Sequence, residues 1–278
     1  MTPGNYLKTS WKYLRRQKLY TGLNIAGLAA AMACALIIFL FVQHDWSYDR
    51  FHKDAARIFR LAVSMKMDIG EKGYSMVPSD IGLLVMDDMS GVEDVTRVSD
   101  RSSPSQVVWK GRTYQVKGLD VDPNFLKFFD FPLLSGSRAT ALNLPDEILL
   151  TETLARRLFG EASPVGAVLT APGGGSFRVT GILKDVPDNS HMQFEFLTSS
   201  PSLRDLGRSR EKFDLVQTYI RLRRGTSPAA VESQFPTFLK RHTGEASAKR
   251  NRYFLQPLTS IHLASHLFGE LDVNSDRR

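Results

Sequence analysis

The run Leu23–Val42, LNIAGLAAAMACALIIFLFV, constrains this chain more than any other stretch. It is twenty residues long, carries no charge, and has Asn24 as its only clearly polar member. At about 1.5 Å per residue, a helix of that length covers the roughly 30 Å hydrocarbon core of a bilayer. Ten of the twenty residues are Leu, Ile, Phe or Val. Together they favour insertion by very roughly 3 to 6 kcal/mol. A buried helix in a soluble core is the alternative, but such helices seldom run this far without a charge. The run predicts a transmembrane helix over 23–42.

The flanks orient it. Lys8, Lys12, Arg15, Arg16 and Lys18 precede the run with no acidic residue among them, and His44, Asp45 and Asp49 follow it. Positive charge beside a first span stays in the cytoplasm. The N-terminus is therefore predicted inside and residues from Trp46 onward outside, which in a Gram-negative cell is the periplasm. A cleaved signal peptide would have a shorter apolar region and a small-x-small site after it, and Phe39–Trp46 offers none. Ala31-Met32-Ala33-Cys34 faintly resembles a lipoprotein box, yet the most apolar part of the run follows Cys34. Gly27, Ala31 and Ala35 share one helix face, a spacing that lets another membrane helix approach closely, although small residues are also simply common in spans.

Residues 5–20 read as a short amphipathic helix, with Leu7, Trp11 and Leu14 on one face beside Lys8, Lys12 and Arg15. Such a helix can lie among anionic headgroups, or dock a cytoplasmic partner. Thus 1–22 is expected to be a basic cytoplasmic segment. Of the chain's 36 basic and 29 acidic residues, five and one precede Trp46, leaving 31 against 28 outside. That balance gives no footing for nucleic-acid binding. The single cysteine, Cys34, lies in the span, so the exterior part has neither a disulfide nor a cysteine metal site.

The exterior part alternates short strands and helices. Expected strands cover 57–67, 92–98, 147–150, 193–198, 218–223 and 253–263. Gln106–Val121 reads as a hairpin turning at Lys110-Gly111, and 165–171 with 176–183 as a second. Helices are expected over 76–89, capped by Ser79, over 153–159, ended by Gly160, and from Ser227-Pro228, where Pro236 should kink or split the helix. Asp122-Pro123 is expected to open a short helix with Asp122 as cap. Pro201–Lys212 reads as a polar surface excursion, and Ala246–Arg252 as a polar loop. Phe125, Phe128, Phe129 and Phe131 suit a core wedge better than an aromatic ligand box. The natural class is α+β.

Chemistry is sparse. There is no G-x-S-x-G elbow, no H-E-x-x-H and no Walker-type loop; Gly173-Gly174-Gly175 is followed by neither Lys-Ser/Thr nor a helix. His262 and His266 are four apart, which suits a metal only on one helical face, and they sit where a strand runs into a loop. His44, His52, His191 and His242 stand isolated. The acidic pairs Asp87-Asp88 and Glu93-Asp94 read as solvated faces. No catalytic, cofactor-binding or metal-ligating residue is assigned.

Seven stretches, in order over nearly the whole chain, resemble one family. They are Asn5–Trp11 with Arg15–Lys18 and Asn24–Leu28; Trp46–His52; Phe128–Gly136; Ile148–Glu152 with Phe159-Gly160; Val179–Pro187; Asn189–His191; and Pro257–Leu263. Together they are similar to ABC-transporter permeases of the MacB/FtsX type. The resemblance implies an N-terminal transmembrane helix followed by a MacB-like periplasmic core domain over 46–278, a two-lobed mixed α/β extracytoplasmic fold. It further implies an inner-membrane location and coupling to a cytoplasmic ABC ATPase subunit near residues 5–20. Other permease membrane helices or a second permease copy, and a periplasmic adaptor, are the remaining partners it suggests, with the lipid bilayer. It implies no enzymatic activity and offers no catalytic residue to carry over. Family members continue into three more membrane helices, whereas this chain stops at Arg278. A fragment or natural truncation is therefore expected, whose lone span cannot form the permease bundle by itself.

Two other classes fit parts of the pattern. A single-span, membrane-anchored sensor or ligand-binding module would need a pocket between the lobes. An exterior hydrolase would need a nucleophile–base or metal signature, which is missing.

Overall fold

A computed structural model describes residues 16–68, 70–100, 105–199 and 215–272. The chain forms two compact units, divided between Ser47 and Tyr48. Among its described residues the first holds the helix α1 (Lys18–Trp46), of 29 residues. It is about 44 Å long by its rise per residue and none of its residues is buried. Its middle is apolar all round, and the helix is long and apolar enough to cross a membrane. The helix outruns the apolar stretch at both ends and stops where the Ser47 N–H and Oγ both donate to the His44 carbonyl. Residues 5–15 of the expected amphipathic helix lie outside the described residues, as do Pro201–Lys212.

The second unit is built on a 14-stranded mixed sheet. Its strands, in chain order, are β1 (Ile58–Met67), β2 (Gly70–Tyr74), β3 (Val77–Pro78), β4 (Val92–Ser99), β5 (Gln106–Trp109), β6 (Arg112–Gln115), β7 (Gly118–Val121), β8 (Leu133–Gly136), β9 (Glu147–Thr151), β10 (Val168–Thr170), β11 (Ser176–Leu183), β12 (Phe196–Thr198), β13 (Leu215–Leu222) and β14 (Asn251–Pro257). Across the sheet they run β14-β1-β13-β4-β7-β12-β9-β11-β10-β5-β6, with β2 on β1, β3 on β13 and β8 on β11. The β9–β11 and β7–β12 pairs are parallel, and the other pairs antiparallel.

Strand alternation divides the core by face. On β1, Phe59, Leu61 and Val63 join one cluster while Ile58 joins another. On β13, Ile220 and Leu222 are separated from Tyr219 in the same way. One face carries two helix-covered cores. Toward β14 lie the helices α2 (Ser79–Asp88), α5 (Pro228–Glu232) and α6 (Phe235–Thr243). Toward β11 lies α4 (Glu152–Phe159). The opposite face carries a core around α3 (Phe125–Phe128), where Phe125, Phe128, Phe129 and Phe131 are all buried. The expected phenylalanine wedge is this core.

Several local expectations are met for the expected reasons. Lys110 and Gly111 both take positive φ, as a two-residue hairpin loop between β5 and β6 requires. Thr151 accepts the Leu154 N–H to cap α4, and Gly160 ends it at φ 63°. Ser227 caps α5. Pro236 does divide the helical stretch, but the break falls at Ser233-Gln234, leaving Pro236 in the first turn of α6, where no amide is needed.

Others are corrected. The strand expected to reach Val121 leaves the hairpin at Gln115, and β7 pairs instead with β12 and β4. Ser79 is the first residue of α2, with Pro78 at the cap. Asp122 does not cap α3; Asn124 holds that position without a side-chain bond, because the Asp122 carboxylate is taken by Arg97. The polar stretch 246–252 is not a loop. Its first part forms α7 (Glu245–Arg250), since Ala, Lys and Arg favour helix even without an apolar stripe. The last strand ends at Pro257, and the chain turns through 258–260 into α8 (Ile261–Ala264).

Candidate functional site

Immediately after the apolar helix, the chain enters the folded domain. Asp49 adopts φ 57°, a left-handed conformation that Asp tolerates better than most residues. Its side chain is completely buried. The turn puts the Asp49 N–H on the Asn189 carbonyl at 2.9 Å. Its Oδ1 accepts the His191 N–H at 3.2 Å and the Ser190 hydroxyl at 3.4 Å. The His191 Nδ1 lies 2.9 Å from Asp49 Oδ2, without the alignment of a straight hydrogen bond.

The other imidazole nitrogen of His191 is 2.8 Å from the Tyr219 hydroxyl. Burial pushes that phenol far above its ordinary pKa, so it stays protonated. The Tyr219 hydroxyl in turn donates to Gln217 Oε1 at 3.4 Å. Gln217 then meets Arg60, whose Nη1 donates to the same oxygen at 3.3 Å.

Arg60 is the centre of the arrangement. It sits mid-strand in β1 with no solvent exposure. Nη2 donates to Gln256 at 2.6 Å, to Ser265 at 2.9 Å and to Glu270 Oε1 at 2.9 Å, and Nη1 also pairs with Glu270. A buried guanidinium persists only when its donors are satisfied and its charge is matched, and Glu270 supplies the match. Gln217 Nε2 extends the chain to the Gly269 carbonyl at 2.6 Å and to Ser75 at 3.1 Å. A continuous buried polar path thus runs from Asp49, through His191, Tyr219, Gln217 and Arg60, to Glu270.

A second contact set flanks it. His52 Nδ1 accepts the Asp130 N–H at 3.0 Å, and Asp130 Oδ2 accepts the Lys53 N–H at 2.8 Å. The His52 ring lies among Phe51, Phe129 and Phe131. Burial there lowers its pKa to about 4, against the opposing pull of Asp49 and Asp130, so the imidazole is neutral. Tyr48 stacks flat on His262, with ring centroids 3.4 Å apart.

Four of the seven stretches singled out in the sequence therefore meet here: 46–52, 128–136, 189–191 and 257–263. His191 and His52, isolated along the chain, are partnered in space. His262 is buried in α8 and His266 is exposed. Among the described residues no three metal-ligating side chains converge. The acidic pairs lie at the surface, but Asp88 faces Arg241 and His242, and Glu93 faces Arg57 and Arg221. Those hydrogen bonds hold both carboxyls below the usual carboxylate range. Arg60, Gln217, Tyr219, Gln256 and Glu270 were not singled out. Arg60 carried no signal of burial: with Ser64 and Lys66 it lies on the more polar side of the β1 alternation, which reads as outward, and only the structure shows that side buried at Arg60.

The site is sealed, holds no open nucleophile, and ties distant segments together. Its chemistry is that of a clasp. The family model of the MacB-like periplasmic core domain matches residues 21–238, well over half the chain. The chain belongs to that family. Among solved structures, this MacB-like chain is similar to a domain of a protein described as a permease from Porphyromonas gingivalis. That likeness has 26% identity and a TM-score of 0.65, and covers 75% of this chain and 92% of that one. The periplasmic region of MacB from Actinobacillus actinomycetemcomitans shares the fold at 14% identity and a TM-score of 0.51, over 74% and 91% of the two chains. So does the extracellular domain of the noncanonic ABC-type transporter YknZ from Gram-positive bacteria, at 16% identity and 0.50, over 72% and 99%. No relative among curated proteins matches. The chain is thus a MacB-like periplasmic domain of ABC-type transporter permeases, preceded by an apolar helix of membrane-spanning length.

Proposed function

We propose that this chain is the membrane-anchored permease component of an ABC-type export or mechanotransmission complex. In this reading α1 spans the inner membrane with its N-terminus in the cytoplasm, and residues from 46 onward lie in the periplasm. A cytoplasmic ABC ATPase subunit drives motion of the periplasmic domain through the membrane helices, and those of other permease segments or a second permease copy complete the bundle. The chain itself carries out no chemistry.

The observation that carries the reading is continuity. Trp46 ends the apolar helix, and Asp49, three residues on, is already locked into the buried network. A linker so short transmits displacement with little slack. The five basic residues before the span support the orientation.

Two measurements test it. Lys110→Cys, placed on the β5–β6 loop in a Cys34→Ser background, should react with a membrane-impermeant maleimide added from the periplasmic side. Reaction only after the inner membrane is opened overturns the topology. Affinity purification of the natural full-length protein from its own membranes should bring down an ABC ATPase, and its consistent absence overturns the coupling.

A further inference from the structure

His52 is tied into the domain through an atom that has to stay unprotonated. Its Nδ1 accepts the Asp130 N–H at 3.0 Å, and a backbone N–H can only donate. The proton of the neutral ring is therefore on Nε2, which is buried and has no hydrogen-bond partner among the described residues. A second proton, on Nδ1, would set one N–H against another and would leave a buried cation without an acceptor on either side. Only the neutral ring fits this seat.

The surroundings agree. The rings of Phe51, Phe129 and Phe131 enclose the imidazole, with centroids between 4.1 and 5.2 Å from its own. Three titratable groups face it: Asp49 from its own turn, Asp130 from the residues after α3, and His191 from the stretch before β12. Burial opposes a charged ring most strongly, the two carboxylates favour it, and His191 opposes it.

The same bond fastens the segment by which the chain enters the domain. Residues 52 and 53 are joined to Asp130 twice, through the His52 ring and through the Lys53 N–H on Asp130 Oδ2 at 2.8 Å. The Ala55 N–H closes the turn on the His52 carbonyl at 3.1 Å. Asp49 is held separately, by the Asn189 carbonyl and the His191 N–H, and shares none of these bonds.

We propose that His52 is an acid-sensitive latch: when its ring takes up a second proton, residues 51–55 come away from residues 128–131 while the rest of the domain stays folded. The proposal does not rest on the export reading. Under that reading it would put a pH-sensitive joint immediately after the span. A released ring titrates near 6.5 and the seated ring at about 4. Between those values the released population should rise about tenfold per pH unit, roughly twentyfold from pH 7 to pH 5.

The test is amide exchange on the full chain in detergent micelles at pH 7, 6 and 5, corrected for the chemical pH dependence of exchange. Segments 51–55 and 128–131 should lose protection about twentyfold across this range and should exchange ahead of 216–222 in β13 at every pH. His52→Gln and His52→Asn each offer an amide oxygen to the Asp130 N–H and cannot titrate, so neither should show the loss. Exchange of the imidazole C2 hydrogen in the wild type needs no variant, and should give His52 a midpoint well below 6.5. Exchange of 51–55 only in step with 216–222 would mean that global unfolding alone exposes the ring. A pH response that survives in the variants would belong to another group, and a C2 midpoint near 6.5 would mean that the seat admits the charged ring. Each of these outcomes overturns the latch.

Discussion

His52 shows how one buried side chain sets a pH response. In the unfolded chain its imidazole titrates near 6.5, and in the folded domain burial lowers this to about 4. Between those values the unfolded chain binds a proton that the folded domain refuses. The stability this contributes is therefore complete above about pH 6.5 and is lost as pH falls toward 4. At 1.36 kcal/mol per pH unit the loss is roughly 3 kcal/mol. His52→Gln keeps an acceptor for the Asp130 amide but cannot titrate. Thermal melts of the full chain in detergent should show a flatter decline between pH 7 and 4.5 for the variant than for the wild type, and parallel declines would remove the account. Gly118 makes a second residue-scale case. A Cβ there would fall 2.0 to 2.5 Å from three ring atoms of Phe196, its buried partner across the β7–β12 pair. Gly118→Ala should cost about 1 to 3 kcal/mol by overpacking. Gly173→Ala, where nothing lies within 4 Å, should leave the melting temperature unchanged.

At the scale of elements, the Arg97–Asp122 pair joins β4 to the turn that starts α3. Asp122 accepts from Arg97 through Nε and Nη2, each at 2.9 Å, and from its backbone N–H at 2.8 Å. Asp122→Ala would strand a guanidinium whose side chain is 3% exposed. Denaturant unfolding should register a loss of roughly 3 kcal/mol, with a change below 1 kcal/mol counting against the pair. The same residue marks the boundary of what local pattern reveals. Asp122-Pro123 is a sound helix-start signal, but a long-range charge outcompetes the cap. Strands with clear alternation, such as β1, β4 and β11, were legible, because burying one face requires that pattern. α7 was not, since it has no apolar stripe. Nor was the end of β14, where the apolar run continues beyond Pro257 although the chain turns. The motifs of the site could be read, but their meeting could not. Arg60 finds its partners at separations of 157 to 210 residues, and no local window contains both ends of such a bond.

For the whole molecule the consequence is mechanical. The residues following the apolar helix, 48–52, and the residues at the far end of the described chain, 261–272, touch where Tyr48 stacks on His262, and they are fastened to the neighbouring strands β13 and β1. Asp49 reaches β13 through His191 and Tyr219, and Glu270 reaches β1 through Arg60. Gln217 joins the two paths. Buried polar networks behave as units, so loosening one member disturbs the others more than a pairwise view allows. Glu270→Gln keeps the shape but removes the charge that balances Arg60. If the network is one unit, amide exchange should quicken at both 261–272 and 48–52 even in a Tyr48→Ala background, where the direct stack on His262 is removed. Quickening confined to 261–272 would mean that the two attachments are independent.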